Sequence, residues 1–121
     1  MIRKTEDFEI SFFERLIKED PNYVEALIPL AELYTRKGLY DKGLAIDRRL
    51  AGLRKNDSTV HYNLACSLAL TGGTEEALKA LERALELGYS DVDYLKRDPD
   101  LKSLWQDPRF QFLISKNAGQ R

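Results

Sequence analysis

A chain of 121 residues fits one domain, in which roughly 60–70% of the unfolded surface can be buried in one continuous core. Lys and Arg number 19 against 20 Asp and Glu, and 43% of the residues are hydrophobic, which argues against a disordered chain and against a polyanion partner. The lone cysteine, Cys66, excludes an internal disulfide and a multi-cysteine zinc site, while the charged opening MIRKTEDFEI and the lack of any long uninterrupted apolar run predict a soluble, cytoplasmic chain with no membrane contact.

Taken in chain order, apolar residues recur at three- and four-residue spacing and predict a nearly all-α protein. The first segment carries Phe8, Phe12, Phe13, Leu16 and Ile17 and reads as a helix rich enough in apolar area to cover the first full helix pair. Asn22 with Glu25 has the spacing of a capping box and predicts the next helix start. Leu27, Leu30, Ala31 and Tyr34 then form an apolar stripe, interrupted by Pro29, which removes a backbone bond to Glu25 and predicts a bend. Gly38, Gly72 with Gly73, and Gly88 each end a periodic run, where a left-handed residue closes a helix at least steric cost. Farther on, Asp98-Pro99 and Asp107-Pro108 each set a capping acceptor before a proline at the first helical position. The two short helices they begin hold Leu101, Leu104, Trp105, Phe110, Leu113 and Ile114, and Trp105 reads as core rather than as an exposed anchor for a partner. The final SKNAGQR is polar and reads as frayed.

Compared with itself at an offset of 34 residues, the chain aligns Leu30 with Leu64, Ala31 with Ala65, Gly38 with Gly72, Leu44 with Leu78, Arg49 with Arg83 and Leu53 with Leu87. Extended backwards, the same offset places Ile10 on Leu44 and Arg15 on Arg49. Extended forwards it fails near residue 97, because Asp98 and Pro99 fall where Leu64 and Ala65 stood.

The segments LIPLAELYTRKGLYDKGLAIDRRLAGL and HYNLACSLALTGGTEEALKALERALELG resemble the tetratricopeptide repeat (TPR) family. The family pattern is met by Leu30-Ala31, Tyr34, Gly38, Tyr40 and Leu50 in one copy and by Leu64-Ala65, Gly72, Ala77, Leu81 and Ala84 in the other, whereas Gly43, His61 and Thr74 depart from it. The resemblance implies a right-handed α-α superhelix of antiparallel helix pairs with short C-terminal capping helices. It divides one domain, 1–121, into a half repeat 6–20, repeats 24–57 and 58–91, and a C-terminal cap 92–116.

No residues suited to catalysis or metal binding come together in the sequence. Cys66 and His61 are five apart, out of phase for a dyad on one helix, and His61 sits where the family places a large buried residue. One His and one Cys do not make a zinc set, and the acidic cluster Asp91, Asp93, Asp98 and Asp100 lacks the glycine and glutamate of a calcium loop and reads as helix caps. Gly72-Gly73 lacks the lysine and hydroxyl of a phosphate loop. The basic doublets Arg36-Lys37, Arg48-Arg49 and Arg54-Lys55 are interleaved with acids and read as a solvated convex face, not a nucleic-acid surface. The expectation is a non-enzyme with no catalytic, cofactor or metal residues.

What the resemblance implies about binding is a concave groove lined by the first helix of each pair, here Glu25, Ile28, Glu32, Arg36, Tyr62, Asn63, Cys66 and Leu70. The lysine, asparagine and arginine clamp with which some family members hold a peptide carboxylate is matched only by Asn63 and Arg97, since Ile28, Glu32 and Asp93 occupy its other places. A peptide or helix of another protein, with an apolar anchor flanked by basic residues, suits Ile28, Tyr62, Glu25 and Glu32 better. The expected role is an adaptor or scaffold, monomeric or weakly dimeric. A self-associating structural module or a regulatory subunit is the alternative.

Overall fold

The structure, a computed structural model, describes residues 2–118, with side chains from Thr5 onward. Helices follow one another as α1 (Ile2–Glu19), α2 (Val24–Arg36), α3 (Tyr40–Leu53), α4 (Ser58–Leu70), α5 (Thr74–Glu86), α6 (Val92–Leu95), the 3-10 helix η1 (Pro99–Leu104) and α7 (Pro108–Ala118). Among the described residues there is no strand. Helix α2 pairs with α3 and α4 with α5 across three-residue turns, while α1 packs on α2 and η1 on α4. The chain is thus an all-α protein of helices packed in pairs.

The turns repeat one device. Gly38, Gly72 and Gly88 have φ of 80°, 85° and 106°, and after each the following amide reaches back: Leu39 to the Tyr34 carbonyl at 2.8 Å, Gly73 to Leu68 at 2.8 Å and Tyr89 to Ala84 at 2.9 Å. These are Schellman ends, which a side chain at the left-handed position strains. Gly73, by contrast, has φ of −85° and opens α5.

Two helix starts agree with the Asp-Pro expectation: Asp98 accepts the Asp100 amide at 3.0 Å and Asp107 the Arg109 amide at 2.9 Å. Asp57 caps α4 through the Thr59 and Val60 amides. The expected capping box is absent. Tyr23 is the residue before α2, it makes no side-chain cap, and Glu25 points into solvent. A turn closed by Tyr23 N–H to the Asp20 carbonyl at 3.1 Å orients the entry instead. Helix α2 continues through Pro29.

One core, built on α2 and α3, contains Leu27, Leu30, Tyr34, Ile46 and Leu50; the other, built on α4, α5 and the cap, contains Leu68, Leu81, Leu95, Leu101, Leu104 and Phe110. Gly43, the departure from the family pattern, has a packing reason. A Cβ there would stand 3.1 Å from the Thr35 hydroxyl. One period on, the two positions hold Ala77 and Ala69, so a methyl moves from one wall of the helix pair to the other.

The front helix covers its neighbour with one face only. Ile10, Phe13 and Ile17 pack on the α2–α3 core, but Phe8 and Phe12 lie 68% and 43% exposed. That corrects the sequence expectation: residues 8 and 12 share a face about half a turn away from 10, 13 and 17. At the other end Trp105 is half-buried against the core and its indole N–H donates to the Leu95 carbonyl at 3.2 Å. Helix α7 reaches Ala118, so the start of SKNAGQR is helical, and its last three residues lie outside the described ones.

Candidate functional site

A groove of about 500 Å3 runs along α2 and α4 and is closed at one end by the cap. Helix α2 supplies Ile28, Ala31, Glu32, Thr35 and Arg36. Helix α4 supplies Thr59, Val60, Tyr62, Asn63, Cys66 and Ser67. Of the eight expected lining residues, Ile28, Glu32, Arg36, Tyr62, Asn63 and Cys66 are therefore brought together, and Glu25 and Leu70 are not. The α4 stripe begins about one turn earlier, relative to the 34-residue register, than the α2 stripe, so the groove crosses the two helices obliquely and leaves out one residue at each corner.

Sequence reasoning missed Asp47, Asp57, Tyr94, Asp98 and Asp100, which also line the groove. Asp98, read as a helix cap, does cap η1 with one oxygen, but it is buried and its other oxygen accepts the Tyr62 hydroxyl and, at 3.7 Å, the Cys66 thiol. The Tyr62 ring stacks on Tyr89 at 4.3 Å with planes 4° apart, which holds the hydroxyl on Asp98. Burial, and the bond to Asp98, push the Tyr62 hydroxyl far above the usual phenol range. Burial, aided by Asp98 and Asp100, likewise raises the Cys66 thiol, so it is a neutral donor at physiological pH.

The other wall is Asp47 on α3. It is 5% exposed and accepts the Ser67 hydroxyl at 2.5 Å; burial raises its carboxyl to about 6, against the pull of that bond. The repeat register makes this residue anomalous, because Phe13 and Leu81 occupy the same place one period before and after. Successive helix residues point about 100° apart, so Cys66 and Ser67 turn to different neighbours of α4 and meet Asp98 and Asp47 respectively.

Charge in the groove is one-sided. Arg36 is paired to Glu32 at 2.8 Å and to Glu6 at 3.4 Å. Among the described residues, Asp47, Asp57, Asp98 and Asp100 are in no salt bridge. The carboxyl of Asp100 is raised by burial and by its neighbour Asp98. Cys66, Asp98 and Asp100 bring three ligand-type atoms within 4.8 Å of one another, yet the thiol is held protonated and Asp98 is committed to two donors. Arg97 lies over the Tyr94 ring at 5.9 Å. His61, expected as a buried residue, is half-buried and its Nε2–H donates to the Lys55 carbonyl at 2.8 Å, sealing the turn before α4.

Elsewhere the basic doublets are largely engaged: Lys37 with Asp7 at 2.5 Å, Arg48 with Glu76 at 3.0 Å and Arg49 with the Pro21 carbonyl at 3.1 Å. No described helix is long and apolar enough to cross a membrane.

No protein-family model matches the chain. A chloroplastic protein of Arabidopsis thaliana is 30% identical to it over 84 residues, which take in 67% of this chain and 25% of that protein. The chain spans about a quarter of the length of the curated relative it matches.

Proposed function

We propose that the chain is a tetratricopeptide-type module, its antiparallel helix pairs wound as a right-handed superhelix, that binds a segment of another protein in the groove along α2 and α4. The observation that carries this reading is the groove itself: about 500 Å3, lined by the apolar side chains of the exposed Ile28 and the buried Leu50 and Val60 beside polar ones. Such a mixed concave surface suits a peptide or a helix held by a few anchors. The 34-residue period and the three identical glycine turns support the family reading. We take the module to be non-catalytic, since the one thiol in the groove is held neutral and the one histidine bonds to a loop carbonyl. Nucleic acid is disfavoured by an acidic groove and by the ion pairs that engage Lys37 and Arg48.

Ile28 is 48% exposed, so Ile28→Arg leaves the core intact while filling the groove with a charged chain. Peptides selected from a random library on the native protein lose at least ~90% of their binding to this variant and keep it with Phe112→Arg on α7. Equal binding to both variants defeats the groove assignment.

Self-association is a second reading, favoured by the exposed Phe8 and Phe12 on α1 and Phe112 on α7. Sedimentation velocity at rising concentration distinguishes it: a dimer abolished by Phe8→Asp supports this reading, and a strict monomer removes it.

A further inference from the structure

The chemistry of the two walls, taken with the groove reading on which it rests, specifies the partner further. Buried carboxylates are normally paired, because desolvating a charge without a counter-charge costs several kcal/mol. Here the α3 wall holds the buried Asp47 and the cap wall the buried Asp98, with neutral hydroxyl, thiol and amide donors as their partners, and the half-buried Asp100 follows Asp98 two residues on. Asp47 interrupts a column that is otherwise Phe13 and Leu81, so an apolar residue fits the register and the aspartate gives the pair α3–α4 no packing advantage. Arg36, the one basic residue among the described lining residues, is paired with Glu6 and Glu32. Next to this acidic end the groove is apolar, with Ile28, Leu50 and Val60.

We propose that the occupant is a polypeptide segment bearing a lysine or arginine side chain, whose cationic head enters between Asp47 and the Asp98–Asp100 pair while an adjacent apolar side chain rests on Ile28 and Val60. The cation adds a counter-charge to carboxylates whose hydrogen-bond partners are neutral, through charge-assisted hydrogen bonds. Arginine and lysine differ in geometry, since a guanidinium reaches two carboxylates through a rigid fork and an ammonium acts as a compact point charge.

The test is to pan a random heptapeptide library on the full 121-residue protein, then to synthesise the leading peptide with its basic residue as Arg, Lys or Gln. The pool is expected to be rich in Lys or Arg beside an apolar residue. Replacement by Gln weakens binding about ten- to a hundredfold, and the Arg and Lys versions show which head the groove prefers. Asp100→Asn and Asp47→Asn each weaken the basic peptide severalfold, binding falls as salt is raised, and Glu82→Gln on the exposed side of α5 changes nothing. Circular dichroism and an amide correlation spectrum establish that each variant is folded. A pool of uncharged or acidic peptides, or basic peptides indifferent to both aspartate variants, overturns the inference; if such peptides still fail on Ile28→Arg, the groove reading stands without it. A library that yields no binder overturns the groove reading as well.

Discussion

Asp47 accepts the Ser67 hydroxyl across the α3–α4 contact at 2.5 Å, in the place that one repeat later is filled by the fully buried Leu81. A carboxyl raised by burial to about 6 binds its proton more tightly in the folded than in the unfolded chain. The stability it contributes is present below the ordinary carboxylate range near pH 4 and is lost as pH rises through about 6, a loss of about 3 kcal/mol. Asp47→Asn keeps an acceptor for Ser67 and removes the charge. Urea unfolding should find the variant more stable than the native protein by about 2–3 kcal/mol at pH 8, with the difference shrinking towards zero at pH 4. A difference independent of pH rules out the carboxyl as its source.

The exchange of one methyl between Gly43–Thr35 and Ala77–Ala69 makes a second prediction. Gly43→Ala alone gains helix propensity of about 1 kcal/mol but presses its Cβ on the Thr35 hydroxyl at 3.1 Å, so its net effect is small. Combined with Thr35→Ala, the obstacle is gone, and thermal unfolding should show the pair more stable than the sum of the two single changes by about 0.5–1 kcal/mol. Strict additivity contradicts the packing account.

Tyr62→Phe leaves the Asp98 oxygen with the weak Cys66 thiol as its remaining side-chain donor. The expected cost is about 1–3 kcal/mol, the range for depriving a buried acceptor of a partner, read from the denaturation midpoint. Replacing Tyr89, which stacks on the Tyr62 ring, by Leu should cost less, because the hydroxyl bond survives.

Cys66 is buried and its thiol is raised by that burial and by the aspartates beside it. Iodoacetamide at pH 8 should therefore label the folded protein at a rate limited by opening, far slower than the urea-unfolded chain. Fast labelling of the native protein would show a reactive thiolate and reopen a chemical role for the groove.

Much of this architecture is legible in the sequence, and for local reasons. The three glycines that adopt positive φ, the Asp-Pro starts and the 34-residue offset are statements about short stretches of backbone, which sequence records directly. What escapes a sequence reading depends on neighbours distant in the chain. Asn22 and Glu25 have capping-box spacing, but the turn from Asp20 delivers Tyr23 to the helix start. Phe8 and Phe12 are as apolar as Phe13 yet face away, because α1 covers the α2–α3 core with its other face. Asp47 and Asp98 read as ordinary polar residues until α4 packs against both. The signal available for Asp47 was its register: the comparison that aligned Leu44 with Leu78 also aligns an aspartate with Phe13 and Leu81.

The most direct measurement is an amide correlation spectrum of the labelled protein titrated with the library-selected peptide. Groove binding predicts shifts concentrated at Ile28, Glu32, Asn63, Ser67, Tyr94 and Asp100, fading along α7 and the Phe8–Phe12 face of α1. Shifts confined to α7 or to that face of α1, with the groove residues unmoved, contradict it.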